Sequence, residues 1–67
     1  MQVDQELAHL LAEILDRTDA LLERSEVGWQ IARRGVETIA GDLALRFPGH
    51  ERYIRERVDV WIRGHAH

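Results

Sequence analysis

The chain of 67 residues contains no cysteine, no lysine and a single proline, Pro48. Without thiols it can form no disulfide, no Cys-type zinc site and no thiol nucleophile. Aromatic side chains are few: Trp29, Phe47, Tyr53 and Trp61. Its wholly apolar runs are only a few residues long, and no basic region followed by an apolar core opens it. A transmembrane helix and a signal peptide are therefore not expected, and a cytoplasmic protein is. Aliphatic hydroxyls are limited to Ser25, Thr18 and Thr38, with nothing to place a histidine and a carboxylate beside any of them. A glycine-rich phosphate loop is also missing. The expectation is a protein without catalytic activity and without a cofactor.

What is present is an apolar stripe through the first third of the chain. Val3, Leu7, Leu10, Leu11, Ile14, Leu15, Leu21 and Leu22 recur at three-and-four spacing, which predicts an amphipathic helix. At roughly 100° per residue these side chains fan over about 140° of the cylinder, wider than the seam of a two-stranded coiled coil. More than one helix must cover them. A second stripe of Trp29, Ala32, Val36, Ile39, Ala40, Leu43 and Phe47 predicts a second helix, closed by Pro48 and Gly49. Tyr53, Ile54, Val58, Val60, Trp61 and Ile62 predict a third, ending near Gly64.

The passage between the first two helices reads in two ways. Ser25 can cap a second helix with Glu26 in its first turn, and Gly28 can loosen the chain, giving a hairpin. Carried forward, however, the phases of the two stripes coincide within about 20°, as one long helix requires. We favour the hairpin. The expected fold is all-α, a single domain over residues 1–67 with helices at about residues 4–24, 26–47 and 50–63. One long helix followed by a short C-terminal helix is the alternative.

A chain this short buries only about 60% of its unfolded surface, so it needs stabilisation from outside a single small core. Self-association is the route left open, a homodimer foremost. Val27, Ile31 and Leu45 lie behind the second helix, opposite Trp29 and Ala40, and the third helix has more apolar width than one neighbour covers. Val27, Ile31, Leu45, Val58, Trp61 and Ile62 are the expected interface. For the core and assembly the expected residues are Leu7, Leu11, Ile14, Leu21, Val36, Ile39, Leu43 and Trp61. The net charge of -3 is unevenly spread, acidic in the first helix and mildly basic in the last, which suits antiparallel or intersubunit pairing.

Three further patterns bear on function. Glu6, His9 and Glu13 share one helical face, and a Glu-x-x-His pair is a helical metal-ligand motif. They fall at roughly 200° to 260° from Leu7, opposite the leucine stripe, where solvent is expected. His65, Ala66 and His67 close the sequence as an expected frayed terminus, and His50 is expected in the turn or first turn of the last helix. Residues 31–39 have the outline of a helix-turn-helix around Gly35, but Glu37 and Asp42 make a poor groove-reading face. The arginines of the last helix are spaced for internal pairs: Glu51 with Arg55, Arg52 with Glu56, Arg55 with Asp59, and Asp59 with Arg63.

An apolar helix followed by Leu43-Ala44-Leu45-Arg46-Phe47-Pro48-Gly49-His50-Glu51-Arg52-Tyr53-Ile54 resembles the junction in the N-terminal dimerisation domain of phage Mor-type transcription activators. There a helix ends at an aromatic and glycine pair, and a short Tyr-Ile-Pro strand follows. The resemblance covers about a third of the chain. It departs in having Arg55 at the proline, charged Glu51 and Arg52 in the strand, and no helix-turn-helix downstream. It implies a dimerisation module with a short strand near Tyr53 and Ile54, and does not by itself imply DNA contact. The sequence thus leads to a small self-associating helical protein that binds another macromolecule, as a regulatory, adaptor or phage-type accessory factor. A protein partner is expected and a membrane is not. A dimeric DNA-binding or transcription-regulatory protein is the alternative, and a metal-binding protein using Glu6 and His9 the next.

Overall fold

The computed structural model describes residues 4–65, so Val3, Ala66 and His67 lie outside the described residues. Three helices follow in order: α1 over Gln5–Glu23, α2 over Trp29–Arg46 and α3 over Glu51–His65. Asp4 starts α1, its carboxylate accepting from the N–H groups of Glu6 at 2.9 Å and Leu7 at 3.2 Å. These are among the donors that a helix N-terminus leaves without partners, which is why Asp is favoured there.

The hairpin forms, by a different device from the expected one. Ser25 does not cap α2. It lies just past the end of α1 at φ 59 and donates its N–H to Leu22 O, while Glu26 N–H reaches back to Leu21 O. This is the Schellman closure, which satisfies the last carbonyls of a helix and turns the chain out of its axis. α2 then begins three residues later than the earliest expected position, with extended Gly28 as its N-cap and no side-chain cap bond. Because a left-handed serine is strained by about 1–2 kcal/mol, Ser25→Gly should stabilise the protein. The gain is reduced by the about 0.4–1 kcal/mol of extra freedom that glycine gives the unfolded chain. A rise of about 0.5–1 kcal/mol in urea denaturation is the expected result.

Phe47, Pro48, Gly49 and His50 make the second corner. His50 N–H donates to Phe47 O at 3.2 Å, with proline second and Gly49 third at φ 92, the arrangement of a type II turn. Glu51 accepts from Gly49 N–H at 3.2 Å. Backbone N–H groups at Glu51 itself and at Gly49 hold its carboxyl below the usual carboxylate range.

α2 packs directly against both other helices. Leu7, Leu11 and Leu15 from α1, Ala32, Val36 and Leu43 from α2, and Ile54, Val58 and Trp61 from α3 are the buried core. Leu10, Ile14, Leu22, Trp29, Ala40, Ala44, Phe47, Tyr53 and Ile62 flank it. Five of the expected core residues are therefore in place. Leu21 and Ile39 are not: both are exposed, Ile39 at 39%, and Ile14 is half-buried. The reason is angular, since Ile14 and Leu21 sit about 60° and 80° to one side of Leu11, and Ile39 about 60° from Val36. The bundle covers the side of the stripe centred on Leu11, from Leu7 to Leu15, and leaves the other side wet. Val60, expected in the apolar sector of α3, is exposed as well.

Candidate interaction surface

The face of α2 that points away from the core is the most apolar unpartnered feature. Ile31 is 70% exposed and Leu45 is 81% exposed, one near each end of the helix. Gln30, Ile31, Arg34, Gly35, Thr38 and Ile39 line a shallow concavity in the N-terminal part of α2. Thr38 turns its hydroxyl back onto its own helix, donating to Arg34 O at 3.0 Å. Its polar group is thereby satisfied without an outside partner. Gly35 and Gly41 have open space where a Cβ would stand.

Of the expected interface residues, then, Ile31 and Leu45 present themselves to solvent. Val27 is half-buried in the connection before α2, not on the helix itself, and Ile62 is half-buried on α3. Val58 and Trp61 are buried in the core of their own chain. The surplus apolar width of α3 is thus largely absorbed within the bundle.

A second groove runs between α2 and α3. Ala40, Gly41, Ala44, Ile54, Val58 and Ile62 line its apolar part, with Glu37, Glu51, Asp59 and Arg55 beside them. Of the ion pairs expected along α3, Arg52 with Glu56 and Arg63 with Asp59 form, at 3.5 and 3.8 Å. Among the described residues Arg55 pairs with neither Glu51 nor Asp59, Glu51 being bonded to the turn backbone instead.

A polar cluster that sequence reasoning missed ties the three helices together. Asp19 Oδ1 accepts from Trp61 Nε1 at 2.8 Å and from His65 Nε2 at 2.8 Å. The rings of Trp29, Trp61 and His65 stand mutually 5.0–5.1 Å apart. His65 was expected in a frayed tail; instead α3 runs through it and its ring is fixed by an aspartate 46 residues away. The only signal available was that His65 follows Trp61 by four, one helical turn. Nothing in the spacing pointed to Asp19.

The metal candidates do not converge. His9 is 3.9 Å from Glu13, but Glu13 is held at 2.7 Å by Arg17, and Glu6 joins neither. Among the described residues no group of three His, Asp or Glu side chains is placed to hold an ion. His50 lies in the turn with Nδ1 buried and unbonded among the described residues. Gly35 is inside α2, so residues 31–39 contain no turn of a helix-turn-helix. No described helix is long and apolar enough to cross a membrane.

In comparisons with known proteins, no family model, no curated protein and no solved structure matches this chain. The short strand implied near Tyr53 and Ile54 by the Mor-type resemblance is not formed, both residues being helical in α3. After the turn at Phe47 to His50 the chain re-enters a helix directly at Glu51.

Proposed function

We propose that this protein is a non-catalytic helical module that self-associates through the outer face of α2 and binds a protein partner, as a regulatory or adaptor factor. The observation that carries the reading is the exposure of Ile31 and Leu45 on a face the core does not use. Isolated exposed aliphatics are ordinary, but two on one outward helix face, with Ile31 lining a concavity there, mark a surface with something to bury. Burying one such side chain contributes about 1.5–3 kcal/mol, and a symmetric pair of chains buries four. The groove between α2 and α3 suits the partner: its lining of Ala40, Ala44, Ile54, Val58 and Ile62 favours a segment carrying apolar side chains.

Sedimentation equilibrium tests the assembly. The native chain is expected at twice its own mass at micromolar concentration. Ile31→Glu/Leu45→Glu is expected at single-chain mass with an unchanged helical signal, because both positions are solvent-exposed in the folded chain. A native protein that stays at single-chain mass at high concentration defeats the reading.

A further inference from the structure

We infer that two copies of the chain pair antiparallel through α2, about a two-fold axis passing beside Thr38. The inference rests on the self-association proposed above and specifies its geometry. Ile31 and Leu45 lie seven residues either side of Thr38, Arg34 and Asp42 four, and Gly35 and Gly41 three. At roughly 100° per residue these pairs fall at about 20°, 40° and 60° either side of Thr38, so the whole set occupies one face. A two-fold axis at Thr38 brings each member of a pair level with the other member on the second copy, as an isologous interface requires.

The charges choose the orientation. Antiparallel pairing sets Arg34 level with Asp42 of the second copy, twice over by symmetry. Parallel pairing would set arginine beside arginine and aspartate beside aspartate. Among the described residues neither Arg34 nor Asp42 has an ion-pair partner in its own chain, whereas Arg33 and Glu37 on the same helix are paired at 3.7 Å. The apolar ends match as well, Ile31 meeting Leu45 at both ends of the contact.

The glycines supply an independent argument. Gly35 and Gly41 sit inside α2, where glycine weakens a helix relative to alanine. Within the chain an added Cβ at either position meets nothing within 4 Å, so intrachain packing does not require them. In the antiparallel pair they flank the contact at about 60° from Thr38, where a bare backbone leaves room for the side chains of the second helix.

Cysteine substitutions in the full chain test the register, free of background thiols. Under mild oxidation Thr38→Cys is expected to give a covalent dimer. Ile31→Cys alone is not, since its two copies would lie about 21 Å apart along the helix axis, beyond the roughly 7 Å reach of a disulfide. An equimolar mixture of Ile31→Cys and Leu45→Cys chains is expected to give the mixed dimer. Arg34→Asp and Asp42→Arg should each weaken association roughly tenfold. Combined in one chain they should restore it to within about threefold. Thr38→Cys failing to cross-link, Ile31→Cys cross-linking to itself, or no rescue in the double variant overturns the pairing, while a native dimer would leave self-association standing. Single-chain mass for the native protein overturns both.

Discussion

Val36→Asp is expected to abolish cooperative folding. Val36 is 2% exposed at the centre of α2's inner face, packed in the cluster that joins all three helices. A carboxylate there loses its water and gains no partner, at a cost of several kcal/mol. A core of this size supplies no more than about 3–5 kcal/mol of net stability. The substitution therefore consumes the whole margin. Circular dichroism should show loss of most helical signal at about 20–25 °C, without a thermal transition. Ile39→Asp is the comparison that gives this result its meaning. Ile39 stands on the same helix and in the same apolar repeat, but its 39% exposure leaves a carboxylate in contact with solvent. That variant should fold with a loss of about 1 kcal/mol. If the two behave alike, the assignment of the inner face of α2 is wrong.

The second large effect is expected at Trp61. Removing the ring with Trp61→Ala empties the place where α3 closes on the core and should cost about 3–5 kcal/mol. Trp61→Phe separates the two things the indole does. It keeps most of the apolar volume and removes the N–H bond to Asp19 together with a small part of the ring, so about 1–2 kcal/mol is expected. Asp19 remains bonded to His65 and is itself about half-exposed on its side chain, which keeps the loss small. Urea denaturation followed by circular dichroism measures both. Asp19→Asn should resemble Trp61→Phe, since an amide oxygen still accepts but without the charge. Equal losses for Trp61→Phe and Trp61→Ala would show that the hydrogen bond, not the ring, holds α3 in place.

Much of the fold was legible from residue order because periodicity is local. Leu7, Leu11 and Leu15, Val36 and Leu43, and Ile54, Val58 and Trp61 recur at helical spacing, and each triad or pair is buried where its phase places it. The second corner was equally legible, since proline followed by glycine has few backbone options. The first corner was harder. Arg24, Ser25 and Glu26 are compatible with helix, and the continuous phase of the two stripes gave no reason for a break. The chain leaves the helix by placing serine, not glycine, in the left-handed region.

The interaction surface was half legible. Ile31 and Leu45 were visible as an apolar strip behind the second helix, because the angle between strips on one helix follows from position alone. Val58 and Trp61 looked like surplus on α3. Whether an apolar residue is surplus depends on how far the neighbouring helices wrap around it, and that is a property of packing. Asp19 and His65 were not legible as partners for the same reason: they are far apart in sequence and meet only when α1 and α3 are set side by side.

By itself, then, the sequence determined amphipathic helical stretches before and after Pro48, their apolar stripes, the absence of thiol chemistry and the apolar strip carrying Ile31 and Leu45. Each of these depends on neighbours within a turn or two, or on composition. Only the tertiary structure decided which apolar residues are covered, that Ser25 closes α1 and does not open α2, and that Asp19 of α1 gathers Trp61 and His65 of α3. Those outcomes depend on the distances between helix axes, which no repeat within a helix encodes.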